Sequence, residues 1–271
     1  MHNISKPLVS IVIVSKNYGQ YLYKSLNSVI NQTYKNIEIY VVDDFSKDNS
    51  KVIIKKLKKK FPYINYIINK KNIGLQKISN SIINKCRGKF YLRLDADDWL
   101  DLNSIKRMVN TFNSKKNVDA IYGNYYYTNN SEKIIGYEKN LNIIKKYIAP
   151  HGACTMYKVN DLKKVKGYFT DIKAQDGWDA WFKLKNKINY YHLKFPIFYY
   201  RQHVSSLTKR KKNILRERGK IFNKMAKNHE NFKKRVSAII PIKNSFDDLK
   251  NVPFKKIGKS SLIDKQLKTL K

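Results

Sequence analysis

The sequence predicts an α/β fold in which a mostly parallel sheet is flanked by helices. Apolar, β-branched runs alternate along the chain with longer segments whose apolar side chains recur at helical spacing, which is the pattern of βαβ units. The first run, Leu8–Val14, is almost continuously apolar, as expected of a strand buried on both faces of a parallel sheet. With 271 residues, the chain can bury one sizeable core and part of a second.

The elements follow in order along the chain. Apolar runs rich in β-branched residues predict strands at Leu8–Val14, Ile37–Val42, Ile64–Ile68, Phe90–Leu94 and Val118–Tyr122. Apolar residues on one face predict helices at Tyr21–Asn31, around Val52–Leu57, around Ile78–Ile83 and at Ile105–Phe112. The second half predicts a hairpin or loop around Tyr125–Tyr137, a short strand near Met156, a helix beginning at Gln175–Asp176 and a strand at Ile188–Tyr200.

Carboxylates follow two of these strands at the point where each strand ends. Asp43 and Asp44 come after one strand, and Asp95, Asp97 and Asp98 come after another. Ligands of open α/β sheets bind beyond the carboxyl ends of the strands. Three like charges within four residues repel unless a cation gathers them, which predicts a hard ion such as Mg²⁺ or Mn²⁺.

The alternative for this stretch is a polar loop that caps the next helix. Asp101 or Asn103 could serve as the N-cap residue, and Asp98 could play the same part. The convergence of acids from two strands on one sheet edge favours a ligand site over a simple cap.

The charge balance is strongly basic. Fifty-six Lys and Arg face twenty Asp and Glu, which gives a net charge of +36 and suggests a polyanionic partner. The lysines are scattered among abundant Asn and Ile, however, which indicates compositional drift more than a designed patch. A nucleic-acid-binding protein is the alternative function, but it needs clustered basic residues with exposed aromatics, so no nucleic acid partner is expected.

Cysteines and apolar runs bear on the compartment. Cys86 and Cys154 belong to no metal-ligand or disulfide pattern, and buried thiols in a reducing cytoplasm are expected. No apolar run approaches the ~18 residues needed to span a bilayer. The sequence therefore predicts a cytoplasmic protein, with a basic amphipathic helix at 209–234 that either packs on the core or attaches to the inner face of an anionic membrane.

The motifs, taken in order, resemble a known enzyme family. Val9–Asn17, Val41–Ser46, Asp95–Asp98, Gln175–Asp176 and Tyr200–His203 resemble the family 2 glycosyltransferases of the GT-A fold, over about residues 7–208. The resemblance implies a nucleotide-sugar-binding half at 7–122 and an acceptor half at 123–208. It also implies inverting, metal-dependent transfer of a sugar to a hydroxyl of a glycan or lipid-linked acceptor in surface polysaccharide synthesis, with a UDP-sugar as the favoured donor.

The resemblance also implies roles for single residues on the donor side. Asp43 and Asp44 would hold the nucleoside, and Asp95 would contact the donor. Asp97 would bind Mn²⁺ or Mg²⁺, which neutralises charge on the leaving diphosphate. His203 would complete the metal or diphosphate contacts, or it is a structural histidine at the end of an aromatic strand.

Further roles fall in the second half. Asp176 would be the general base that takes the proton of the acceptor hydroxyl, with Asp179 as the second candidate. Gln175 stands where the family commonly has Glu. Arg201 could pair with phosphate bidentately or form a salt bridge with one of these acids. Aromatic side chains could stack on a sugar or simply pack in the core, and these are Trp178, Trp181 and Tyr125–Tyr127.

The tail at 235–271 weakly resembles the start of a sugar cytidylyltransferase. Arg235–Lys243 is predicted as a strand, but Asn244 and Ser245 stand where the nucleotide loop of such an enzyme has glycines. The tail is interpreted either as the truncated beginning of a second module or as a segment that packs on the transferase, and no activity is assigned to it.

Overall fold

A computed structural model describes residues 6–138 and 149–203, together with residues 216, 217, 219–221 and 224. The strands are β1 Val9–Ser15, β2 Ile37–Asp43, β3 Asn65–Ile68, β4 Phe90–Asp95, β5 Trp99–Leu100, β6 Ala120–Thr128, β7 Ile134–Glu138, β8 Met156–Lys158 and β9 Tyr190–Arg201. The helices are α1 Gly19–Ile30, α2 Ser50–Lys60, α3 Leu75–Lys85, α4 Ser104–Ser114, α5 Val159–Lys164 and α6 Asp176–Leu184.

Within the described residues, one sheet contains all of these strands. Its order is β3-β2-β1-β4-β8-β6-β9-β5, and β7 pairs with β6. The strands β1 to β4 are parallel, as are β6 and β9. Strand β8 runs antiparallel to both β4 and β6 and joins the two parts of the sheet. The predicted α/β architecture is confirmed.

Both faces of the sheet are covered, which explains why the first strands are apolar throughout. Ile11 and Ile13 of β1 pack with α1, α2 and α4 on one face. Val12 of the same strand packs with α3, α5 and α6 on the other face. Alternate residues of β4 therefore also divide between the faces, and Arg93 lies on the same side as Tyr91 and α6.

The strand β4 is followed by a short connection that returns the chain to α4. Gln32, which is fully buried after α1, accepts a hydrogen bond from the Ile105 backbone N–H at 3.0 Å and donates to the Asp101 carbonyl at 2.7 Å. Gln32 therefore satisfies a backbone donor at the start of α4 that has no partner within the helix. Asn103 occupies the N-cap position, but its side chain bonds Thr33 instead.

Several predicted elements differ in extent from those observed. The strand expected at Val118–Tyr122 continues through the three tyrosines to Thr128 and pairs with β7 as a hairpin. The strand β5 was not predicted, because two residues carry no periodicity. Since β5 stands between Asp98 and α4, the expectation that Asp98 caps this helix is wrong.

The end of the chain is only partly described. Within the predicted basic helix at 209–234, only residues 216, 217, 219–221 and 224 are described. Of these, Ile221 is buried against Trp181 and Phe182. The predicted tail at 235–271 lies outside them entirely. Every helix that the structure describes is too short or too polar to cross a membrane.

Candidate active site

The carboxyl ends of β1, β2 and β4 bring the predicted acids to one edge of the sheet. Ser15 of β1 is in register with Asp43 of β2, and Val14 is in register with Asp95 of β4. The residues after these strands, Asp44 and Asp97, are both buried. The expected convergence of the two acidic turns is therefore present.

Asp43 and Asp44 are bonded differently although they are adjacent. Both oxygens of Asp44 accept hydrogen bonds from the loop before α3, from Asn69 Nδ2 and the backbone N–H groups of Ile73 and Gly74 at 2.9–3.1 Å. Asp43 accepts one bond, from the Ser46 N–H at 3.1 Å through Oδ2. Its buried Oδ1 has no hydrogen-bond partner among the described residues, so it can accept from a ligand.

Asp97 and His203 meet although they are 106 residues apart in sequence. The distance from Asp97 Oδ2 to His203 Nε2 is 2.9 Å, and their side chains are 10% and 1% exposed. Rings of Tyr18 and Tyr21 from the start of α1 lie 5.5 and 5.2 Å from the imidazole and hold it in place. A carboxylate oxygen and an imidazole nitrogen thus converge at the sheet edge.

This pair fits a hard divalent ion that is held partly by its substrate. The described residues contain no group of three or more His, Cys, Asp or Glu side chains arranged to hold a metal. Mg²⁺ is commonly bound through one or two carboxylates plus substrate phosphates and water. Asp97 and His203 would therefore supply two ligands, and a diphosphate would complete the set.

Arg201 contacts both Asp97 and Asp98. The Arg201 backbone N–H donates to Asp98 Oδ1 at 2.9 Å, and Arg201 Nε donates to the Asp97 carbonyl at 3.0 Å. The remaining guanidinium nitrogens bond the Asn130 carbonyl and Glu132 at 2.8 and 3.1 Å. Burial, and then the neighbouring Asp97 carboxylate, raise the pKa of Asp98 well above its usual value. Arg201 thus forms its salt bridge with Glu132 and not with one of the site acids, which it contacts through the Asp98 side chain and the Asp97 carbonyl. Its pairing with phosphate stays a prediction.

Asp95 and Asp176 are joined by a residue that the sequence did not single out. Arg93, whose side chain is 4% exposed, pairs with Asp95 through Nη1 and with Asp176 Oδ2 through Nη2 at 2.9 Å. Asp176 is 83 residues distant from Arg93 and begins α6. One guanidinium therefore connects the donor-side acid to the predicted base.

The backbone around Asp176 is tightly packed and conformationally restricted. Gln175 before it and Cys154 opposite it have positive φ angles of 68° and 61°, which non-glycine residues rarely adopt. A Cβ placed on Gly152 would lie 2.7 Å from Asp176 Oδ2 and 2.9 Å from the Gly177 nitrogen. The loop that contains Gly152 therefore requires glycine at this position to approach the carboxylate. Strained backbone of this kind is concentrated at functional sites in proteins.

His151, in the same loop, was also not predicted as a site residue. Its ring lies 5.0–5.5 Å from the rings of Tyr125, Phe198 and Tyr200. Burial, and then the charge of Arg93, lower its pKa to about 4. His151 is therefore neutral at pH 7. A lone His between small residues carries no local sequence signal, so only the folded chain identifies it.

Asp179, the second candidate base, and Trp181 are both buried in the core of the protein. Asp179 is fully buried, accepts from the Phe169 N–H at 2.5 Å and pairs with Lys183 at 3.1 Å. Trp181 is buried in a cluster with Ile172 and Phe182. Core packing, which was one of the two expected roles for this tryptophan, is the one observed.

Sequence comparison matches residues 10–174 to the profile of a family described as "Glycosyl transferase family 2". An uncharacterized glycosyltransferase of Rickettsia prowazekii is 30% identical over 227 residues, covering 79% of this chain and 70% of that protein. Two other curated relatives are much longer, and the matched region spans only 18% and 36% of their lengths.

Structure comparison finds similar folds at low sequence identity. S. aureus TarS residues 1–349, solved in complex with UDP-GlcNAc, superimposes with a TM-score of 0.65 at 19% identity, covering 80% of this chain and 65% of that one. The mannosyltransferase PcManGT from Pyrobaculum calidifontis, solved with GDP-Man and Mn²⁺, gives 0.63 at 14% identity, covering 82% and 65%. The two chains have GT-A folds, and the described sheet and helices match them.

Proposed function

Because the chain belongs to glycosyl transferase family 2, we propose that it transfers a sugar from a nucleotide-sugar to an acceptor hydroxyl, with inversion at the anomeric carbon. The predicted family, enzyme class and GT-A fold are confirmed. One observation carries the proposed mechanism: the pair Asp97–His203 and the pair Arg93–Asp176, each distant in sequence, meet at the carboxyl edge of the same sheet.

In this proposal the nucleoside binds beyond β1 and β2. Asp43 supports it directly, because its buried Oδ1 is an acceptor without a described partner, and ribose hydroxyls and base N–H groups are donors. Asp44 retains its predicted role beside it, and its bonds to the loop before α3 give that loop a fixed position. A UDP-sugar is the proposed donor; the UDP-GlcNAc complex of TarS supports this choice, although PcManGT was solved with GDP-Man.

The diphosphate would lie at Asp95 and Asp97. Asp97 and His203 would hold Mn²⁺ or Mg²⁺, which, when bound, neutralises the charge that develops on the leaving diphosphate. Arg201 is proposed to support this part of the site by holding the backbone of Asp97 and the side chain of Asp98. The Mn²⁺ in the PcManGT structure supports a divalent ion in a similar fold.

Asp176 is the proposed general base. Its carboxylate removes the proton from the acceptor hydroxyl while that oxygen bonds to the anomeric carbon. The bond from this carbon to the diphosphate oxygen breaks, and its electron pair leaves with the nucleoside diphosphate. One C–O bond forms, one breaks, and the proton resides on Asp176 until solvent removes it. The position of Asp176 in the first turn of α6, 9% exposed, supports a partly desolvated base.

The division of labour within the chain is part of the same proposal. Residues 7–122 would bind the nucleotide-sugar and residues 123–208 the acceptor, a glycan or lipid-linked saccharide in surface polysaccharide synthesis. Contact with the inner face of a membrane is proposed through the predicted basic amphipathic helix at 209–234, because basic segments are attracted to anionic lipid. The segment after residue 208 is assigned no catalytic part.

The test uses the full-length chain with Mn²⁺ and a panel of nucleotide-sugars. Release of nucleoside diphosphate from one member, increased by a saccharide acceptor, is expected. Asp97→Ala should abolish both turnover and Mn²⁺-dependent binding of UDP measured by calorimetry. Asp176→Ala should lower kcat by at least about 100-fold but leave UDP binding intact.

The control is Asp171→Asn, because Asp171 is 60% exposed and pairs with Lys224 away from the site. It should behave like the wild type. No release from any donor would refute the proposal. Equal loss of UDP binding in the Asp97 and Asp176 variants would refute the division of roles between them.

A further inference from the structure

Arg93 lies where two different parts of the proposed site meet. It comes from β4, and its backbone carbonyl accepts from the Cys154 N–H at 2.7 Å, so the loop before β8 crosses directly beside it. Its guanidinium pairs with Asp95, two residues along β4, and with Asp176 at the start of α6. The two carboxylates have no direct hydrogen bond to one another in the described structure and are related through this side chain.

The ion pairs that Arg93 forms with Asp95 and Asp176 are largely buried, so removing Arg93 should disturb them. The side chains of Arg93, Asp95 and Asp176 are 4%, 31% and 12% exposed. A buried guanidinium is costly unless it is paired, and so are the carboxylates that pair with it. Without Arg93, Asp176 would keep a negative charge in a poorly solvated place near Asp95. The carboxylate would then lose the contact that fixes its position.

Because Asp176 is the base in the proposed function, on which this inference rests, we propose that Arg93 is a positioning residue for catalysis. It holds the Asp176 carboxylate at a fixed place relative to Asp95, the proposed donor-side acid. Arg93 itself touches neither sugar nor diphosphate. Asp176 has one oxygen held by Arg93, which leaves the other oxygen for the acceptor proton.

Holding both carboxylates at once requires two nitrogen donors at a fixed spacing. Arginine presents several N–H donors in a rigid plane, whereas lysine has a single ammonium on a flexible stem. Lysine at position 93 would keep the charge and could pair with one carboxylate at a time. Arg93→Lys should therefore retain part of the activity that an apolar variant loses.

The experiment compares Arg93→Met and Arg93→Lys with the matched control Arg107→Met. Arg107 also pairs with an aspartate, Asp101 at 3.6 Å, but is 39% exposed and outside the site. Each variant is measured for kcat and KM with the donor that turns over, and for Mn²⁺-dependent affinity for UDP by calorimetry. Crystal structures of the wild type and Arg93→Met locate the Asp176 carboxylate without requiring activity.

Arg93→Met should lower kcat by about 100-fold, the loss expected from misplacing a catalytic group by about 1 Å, while UDP affinity changes less than about threefold. Arg93→Lys should fall between Arg93→Met and the wild type, and the Asp176 carboxylate should be displaced in the crystal of the Met variant. Arg107→Met should match the wild type.

The proposal is overturned if kcat is unchanged, if UDP affinity falls in parallel with kcat, or if the Asp176 carboxylate keeps its place in Arg93→Met. A parallel fall would make Arg93 a donor-binding residue. A wild-type chain that turns over no donor refutes the proposed function, whereas the crystal comparison still decides whether Arg93 positions Asp176. If Arg93→Met does not fold, Arg93→Lys provides the same kinetic and crystallographic comparison.

Discussion

At the scale of single residues, the three acids after β4 do not form one cluster. Asp95 pairs with Arg93, Asp97 with His203, and Asp98 accepts from the Arg201 N–H. The three carboxylates thus have different partners, one on β4 itself and two at the end of β9 and just after it. Burial, and then repulsion from Asp97, raise the pKa of Asp98 well above its usual value. The division predicted for Asp95 and Asp97 stays a prediction, and this geometry agrees with treating them separately.

His151 makes stability depend on pH. Its folded pKa, about 4, lies below the value near 6.5 of an unfolded chain, so the folded state disfavours the proton. The free energy of unfolding should be unaffected by His151 above about pH 6.5 and fall as pH drops toward 4, by at most about 3 kcal/mol. Urea denaturation between pH 7 and 4 measures this.

The comparison for this prediction is His151→Gln, which removes the titrating group but keeps a polar side chain. The difference in unfolding free energy between variant and wild type should shift in favour of the variant as the pH falls. A difference that does not change with pH would contradict the assignment of a low pKa to His151.

Some of the candidate site residues belong to short sequence motifs, and others do not. Asp43, Asp44, Asp95 and Asp97 directly follow recognisable strands, so local pattern was enough to propose them. Arg93 occupies an alternating strand position that normally predicts a solvent-facing residue, and its burial depends on Asp176, 83 residues away. No local pattern contains that information, and the same holds for His151.

At the scale of elements, α4 depends on a side chain outside it. Gln32 bonds both the Ile105 N–H and the Asp101 carbonyl, and it thereby joins the end of α1 to the connection that carries the acidic turn. Periodicity located the helix correctly but suggested Asp101 or Asn103 as its cap, because capping was sought within the adjacent sequence.

Gln32→Ala should destabilise the fold by about 1–3 kcal/mol, since it leaves a buried backbone N–H without an acceptor. Urea denaturation at pH 7 measures the change. Thr33→Val is the control: Thr33 bonds Asn103 at an exposed position, so the effect should stay within about 0.5 kcal/mol. Equal effects of the two substitutions would show that Gln32 is not the important contact.

At the scale of the whole molecule, the two halves of the chain meet at the loop that contains Gly152. Strand β8, from the second half, pairs with β4 and with the first residues of β6, Ala120 and Ile121, in the first half, and the loop before β8 packs against Asp176. The general α/β alternation was predictable because each unit is local. The short strand near Met156 was predicted, but its place between β4 and β6 and its antiparallel direction were not, because strand pairing depends on distant segments.

Gly152→Ala should lower kcat at least about tenfold, because the added Cβ collides with Asp176 Oδ2 and displaces the proposed base. Steady-state turnover with the active donor measures this, alongside UDP affinity, which should be retained. The control is Gly136→Ala in β7, which should keep wild-type turnover. Its added Cβ would lie no closer than 3.3 Å to its nearest neighbour, a Tyr127 side-chain atom. Wild-type turnover in Gly152→Ala would contradict the close packing described here.

The contact between Asp97 and His203, which are 106 residues apart in sequence, also has a consequence for the kinetics of folding. The cost of closing a chain loop grows with its length, so contacts of long sequence separation tend to form late in folding. The parallel strands β1 to β4 can assemble from neighbouring segments, whereas the imidazole arrives only after β9 has joined the sheet. During synthesis, a nascent chain that ends before β9 would carry the acidic edge without His203, so the proposed cation site would be completed only after β9.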